Sequence, residues 1–206
     1  MYIRIFWAAL ALAQCAPPLA WAVKLGDTVP DVALRDCSGA GVRLSAYHPK
    51  KLAVILAQPP GAKLAPALLA DACRDLAPLN TLVFVLAGDT LPGTDPPATM
   101  LVDPDGVVRR LLSGQALTGP DLVRFVKLWQ FGKTVFSARC ARCHGEDGAL
   151  QTCEDVKLLM GIGRRLTEAQ IRERLRLAPV NDQYLIRSQL FTKEEVDAVI
   201  VYVAGL

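Results

Sequence analysis

Cys140-Ala141-Arg142-Cys143-His144 constrains this chain more than any other stretch. Two cysteines three positions apart, with histidine directly after the second, have the spacing at which a c-type haem is attached. On one turn of chain the two thiols reach the two vinyl groups of a single porphyrin. The adjacent imidazole then falls under the iron as its proximal ligand. His144 would bind iron through one ring nitrogen and fix the ring through the other, by donating to a backbone carbonyl. The residues therefore nominate one covalent haem c per chain, held by Cys140, Cys143 and His144, with His144 as the metal ligand. Two other chemistries draw on the same side chains. A structural zinc site could use Cys140, Cys143, His144 and the later Cys153, and Cys140 with Cys143 could act as a dithiol redox pair.

The chain has 206 residues, 52% of them hydrophobic, enough for a sizeable core in one large or two small domains. Its formal charge of +3 comes with no basic run, which argues against nucleic acid as a partner. Arg4, the apolar stretch from Ile5 to Ala13, and Ala20-Trp21-Ala22 read as a signal peptide over residues 1–22, leaving Val23 at the mature terminus. Lipidation at Cys15 and a retained anchor are the alternatives. No later stretch reaches the roughly 18 uninterrupted apolar residues of a membrane span, so the expected product is exported and periplasmic. Setting aside Cys15, Cys140 and Cys143 leaves Cys37, Cys73 and Cys153, hence at most one internal disulfide and one free thiol. A Cys37–Cys73 bridge is one such pairing, but sequence does not set the geometry it needs.

Between Gly26 and Ser45, alternating apolar residues around Gly39-Ala40-Gly41 predict a β-hairpin. Leu52 to Ala57 is a short, wholly apolar strand and Thr81 to Ala87 a second buried strand, separated by an Ala- and Leu-rich helix from Lys63 to Leu76. Pro96-Pro97 leads into a strand over Thr99–Val102, which Asp103-Pro104-Asp105-Gly106 turns into Val107-Val108-Arg109. Thr118 and Pro120 then open a helix through about Trp129. This order, with the segments GDTVPDVAL, Gly41 to Tyr47 and PATMLVDPDGVV, resembles the thioredoxin-like fold, its thiol-disulfide and peroxiredoxin branch in particular. By that likeness Pro97 stands at the family's cis-proline. The family's reactive cysteine sits between the first buried strand and its helix, where a helix N-terminus lowers the thiol pKa. Here that place reads Gln58-Pro59-Pro60-Gly61-Ala62-Lys63. Cys73 falls about three turns later and is expected to be a small buried hydrophobe. The first half, residues 23–129, is thus expected to keep the fold without its chemistry and to serve as a docking module.

Residues 130–206 resemble a small class I cytochrome c. Gly132 and Phe136 precede the Cys-x-x-Cys-His motif, Gly145-Glu146-Asp147-Gly148 follows it, and Tyr202 lies near the end. The likeness implies that the first and last helices of this half cross at a glycine with aromatics filling the contact. Thr167 with Gln170 and Thr192 with Glu195 form capping boxes, and Val196, Val199, Ile200 and Val203 make the stripe of a packed helix. Leu159 to Thr167 looks like the loop into the family's middle helix. The fold class expected is therefore an α/β thioredoxin-like domain followed by an all-α class I cytochrome c domain. No glycine-serine or proline-rich linker separates the halves, so they are expected to lie close.

The sixth iron ligand is not settled by the residues. The family's methionine lies in the loop before the last helix, and residues 180–188 contain none. Met160 and Tyr184 are the candidates in this half, Met160 also being a candidate for simple packing. His48 is expected at the surface. The leading expectation is a periplasmic electron carrier exchanging electrons with a partner dehydrogenase, oxidase or maturation factor. A haem sensor or peroxidase-like enzyme with an open iron position, and a redox or metal assembly factor, are the competing readings.

Overall fold

A computed structural model describes residues 23–47, 51–58, 66–86, 97–114, 117, 119–150, 157–177 and 191–206. The signal peptide, His48, Cys153, Tyr184 and the N-cap at Thr118 lie outside the described residues. The six strands are β1 (Ala33–Arg35), β2 (Gly41–Arg43), β3 (Leu52–Ala57), β4 (Thr81–Leu86), β5 (Ala98–Val102) and β6 (Val108–Ser113). The helices are α1 (Pro66–Leu76), α2 (Gly119–Arg139), the single turn α3 (Ala141–His144), α4 (Glu168–Leu177) and α5 (Lys193–Val203).

The strands form one mixed sheet in the order β2-β1-β4-β3-β5-β6. β3 and β4 run parallel, with α1 as the crossover between them, while β5 and β6 form an antiparallel hairpin on the other side of β3. A parallel β-α-β unit thus shares its sheet with a β-hairpin that leads into a helix, in the element order that the sequence predicts, and the arrangement resembles a thioredoxin-like fold. The expected N-terminal hairpin is present as β1 and β2, and β1 inserts it against β4.

Side chains alternate across a strand, and β3 uses both faces. Ala53 and Ile55 join Val29, Leu34, Leu44, Phe84 and Met100 in a core on one side of the sheet. Leu52, Val54 and Leu56 face α1 and α2 on the other. The hairpin turn between β5 and β6 is fixed by buried Asp103. One of its carboxylate oxygens accepts from the amides of Asp105 and Val107, each at 2.9 Å, and the other from Arg109 Nε at 2.6 Å.

The sequence ends this helix at about Trp129, but α2 runs unbroken from Gly119 through Gln130 and Gly132 to Arg139. Its Leu122, Val126 and Trp129 pack toward the sheet and its Val135 and Phe136 toward α5, so one continuous core serves both halves. Continuity wins over the glycine because α5 crosses α2 at that point. A Cβ on Gly132 would lie 2.6 Å from the carbonyl carbon of Ala198 and 2.9 Å from Tyr202 Cβ. The expected glycine-mediated crossing is therefore present. Tyr202 fills it, with its ring centroid 5.3 Å from Trp129 and 5.2 Å from Phe136. Thr192 and Glu195 form the predicted capping box on α5.

The halves also meet at the chain's C-terminal end. A Cβ on Gly163 would come within 2.8 Å of the Ala204 carbonyl carbon and 2.9 Å of Leu25. Arg164 reaches Asp27 at 3.3 Å and Arg110 pairs with Glu168. The two halves lie against each other, as the missing linker predicts.

Candidate haem-attachment site

The motif is positioned by the last turn of α2. The Cys140 amide donates to the Phe136 carbonyl at 2.7 Å. The Cys140 carbonyl in turn accepts from Cys143 and His144, at 3.1 and 3.0 Å. Cys140, Cys143 and His144 thus occupy positions i, i+3 and i+4 of one helical turn, which share a face. Gly145, at φ +73°, ends the turn in a conformation that other residues adopt only at a cost. The chain then folds back. The His144 carbonyl accepts from Leu150 at 2.9 Å, and the Gly148 carbonyl accepts from both Leu159 and Met160 at 3.0 Å. Tyr202 donates to the Glu146 carbonyl at 3.2 Å, tying this loop to α5.

His144 stands 6.4 Å, ring centroid to ring centroid, from fully buried Phe136. Burial pushes its pKa below the usual histidine value, and a backbone hydrogen bond at Lys157 opposes that shift in part. The imidazole is therefore neutral near pH 7, the form that ligates iron. Its Nδ1 is buried without a hydrogen-bond partner. Leu150, whose amide donates to the His144 carbonyl, and Met160, whose amide donates to the Gly148 carbonyl, are 53% and 52% exposed, two of the three large apolar side chains left in solvent among the described residues. A neutral histidine with an unpartnered buried nitrogen, on a turn whose following loop leaves large apolar side chains exposed, fits a flat apolar group with a metal at its centre.

The thiols are less simple than the sequence implies. Cys140 is free, and burial pushes its pKa up to about 11, so it is a protonated thiol at neutral pH. That is the opposite of the lowered pKa of an activated redox thiol. Cys143 is disulfide-bonded. Both thiols must be reduced before a porphyrin can be attached to them, so in this state the motif offers one sulfur of two. The expectation of a single internal disulfide is corrected accordingly. Among the described residues no group of three or more His, Cys, Asp or Glu side chains is arranged to hold an ion.

Cys37 and Cys73 form a disulfide with Cα atoms 6.0 Å apart. Cys73 is therefore half-buried and cross-linked rather than a lone buried hydrophobe, the hairpin turn having been brought against α1 by the β1–β4 pairing. The sequence could not separate this pairing from others because the two cysteines meet only through the sheet order. Met160 is held by its backbone, and its carbonyl accepts from Arg165 at 3.3 Å. Among the described residues no helix is long and apolar enough to cross a membrane.

No family model matches the chain, and no curated protein matches it. Solved structures similar to it include a reduced 2-Cys peroxiredoxin from Plasmodium vivax, 14% identical, covering 53% of this chain and 98% of its own, at a TM-score of 0.40. A thiol peroxidase from Chromobacterium violaceum is 17% identical, covering 54% and 89%, at a TM-score of 0.39. The thioredoxin domain of a thiol-disulfide oxidoreductase from Bacteroides vulgatus is 18% identical, covering 52% and 97%, at 0.36. Each of these matches covers about half of this chain.

Proposed function

We propose that this chain is an exported c-type cytochrome that carries one haem on Cys140 and Cys143, with His144 as the proximal ligand. The observation that carries the reading is the single helical turn on which the three side chains share a face, with the Nδ1 of His144 buried and unpartnered. When bound, the haem would supply a one-electron couple between ferric and ferrous iron. The chain's residues do the rest. Burial keeps His144 neutral and so available as a ligand. Phe136 and Tyr202 fix the turn against the α2–α5 crossing, and exposed Leu150 and Met160 would offer apolar surface to a bound haem.

The sheet-bearing half is, on this reading, the docking module for a periplasmic redox partner. Its sequence lacks a cysteine at the strand-to-helix position used by thiol-disulfide enzymes, and its rigid attachment through α2 would hold a docked partner at a fixed place relative to the motif. Residues 1–22 are the export signal in this account.

The test is the absorption spectrum of the purified exported protein, oxidised and reduced, with and without carbon monoxide. A ferrous spectrum that carbon monoxide leaves unchanged assigns the iron a side-chain sixth ligand and the chain to electron transfer. A rapid, complete shift assigns an open iron position and a sensor or peroxide-reactive role. A protein without a haem spectrum removes the proposal.

A further inference from the structure

The Cys37–Cys73 disulfide lies outside the haem-attachment motif, and no step described above uses it. Its two ends differ sharply. Cys37 is exposed in the turn between β1 and β2, whereas Cys73 is half-buried in α1 and packs against the main core. We propose that this bond is a thiol-exchange site, opened by attack of a protein dithiol on Cys37 and closed again by an oxidised partner of the same class.

The two supports of the bond stand without it. Asp36 organises the Cys37 turn by itself, accepting on one carboxylate oxygen from Ser38 at 2.9 Å and Ala40 at 3.0 Å. Its own amide donates to the Ala40 carbonyl at 3.0 Å. β1 is paired on both edges, to β2 and to β4. On the other side, α1 is anchored by Ala72 and Leu76, which are fully buried on either side of Cys73. Opening the bond therefore leaves both sulfurs held near each other, as re-closure requires.

The reduced state also has a partner waiting. Cys37 Sγ lies 3.6 Å from the Val83 carbonyl oxygen. In the disulfide that sulfur has no proton to donate, but the thiol formed on reduction does. Exposure and burial set the direction of attack. A partner thiolate bonds to Cys37 Sγ, the Cys37–Cys73 bond breaks, and Cys73 leaves as a thiolate that takes a proton. The partner's second thiolate then attacks its own sulfur in the mixed disulfide and releases Cys37, which is protonated. Two electrons and two protons reach the pair, and the partner dithiol leaves as a disulfide.

The experiment incubates the folded full-length protein with dithiothreitol, quenches with iodoacetamide and maps the peptides containing Cys37 and Cys73 by mass. The expected result is alkylation of both residues while the far-ultraviolet circular dichroism is unchanged, and loss of that alkylation after oxidised glutathione is added. Protection of both until guanidinium unfolds the chain would overturn the proposal, as would failure to re-form the bond. In single variants, Cys37 of C73S should form a glutathione adduct roughly tenfold faster than Cys73 of C37S. Equal rates would overturn the order of attack. If either variant does not fold, the wild-type mapping decides. These peptides are separate from the Cys140–His144 segment, so the result stands whether or not haem is attached.

Discussion

Replacing Gly132 by alanine tests the crossing on which the motif depends. The added Cβ would sit 2.6 Å from the Ala198 carbonyl carbon and closer still to its oxygen, as well as 2.9 Å from Tyr202 Cβ. The obstruction is backbone, so no rotamer change in α5 relieves it, and shortening Ala198 to glycine would not help. Overpacking of this kind costs about 1–3 kcal/mol and sometimes more. A helical Gly→Ala change recovers about 1 kcal/mol of intrinsic propensity. With the struck atoms in the main chain, the upper end applies, and the net loss is about 2 kcal/mol. For a chain of this size that lowers Tm by roughly 4–8 °C. Urea unfolding followed by circular dichroism reads it directly. Gly41→Ala is the control, because a Cβ there meets nothing within 4 Å. A G132A protein as stable as wild type would refute the close approach of α2 and α5, and with it the account of how His144 is held.

Three further perturbations have expected outcomes. Replacing both Cys37 and Cys73 by serine removes a cross-link with a sequence separation of 36. On the chain-entropy model this costs about 4 kcal/mol, seen as a lower urea midpoint, and an unchanged midpoint would count against the bond. Burial raises the Tyr202 pKa above its ordinary 10.0. The folded state thus favours the neutral phenol, so the contribution is complete below pH 10 and is lost as pH rises through the folded value. The wild type should lose stability above pH 10 more steeply than Tyr202→Phe in paired urea titrations, and parallel curves would contradict the burial argument. Arg110 and Glu168 join the halves as a partly exposed pair. A double-mutant cycle to alanine should give a coupling of about 0.5–1 kcal/mol, and zero would mean that the halves are held by their shared core alone.

The order of elements along the first half was legible because β3 and most of β4 are apolar runs and the turn at Asp103 carries its own hydrogen-bond signal. The crossing of α2 and α5 was legible too, since a glycine and two aromatics at helical spacing have few other uses. Local sequence could not reveal that α2 passes through Gln130 and Gly132 without a joint. Glycine lowers helix propensity, and packing against α5 overrides it. Nor could it assign the cysteines. Cys37 and Cys73 are brought together by the β1–β4 pairing, and the bonded state of Cys143 depends on a residue outside its own turn. At the motif, spacing placed Cys140, Cys143 and His144 on one face. The buried, unpartnered His144 nitrogen and the exposure of Leu150 and Met160 came only from tertiary structure.

The most direct test of the central claim is the intact mass of the exported protein after acid–acetone extraction, read beside its pyridine haemochrome spectrum. One haem is expected to stay on the chain, and that retention is lost when Cys140 and Cys143 are both replaced by serine. A chain whose mass equals its polypeptide alone after purification from cells competent in haem attachment would contradict it.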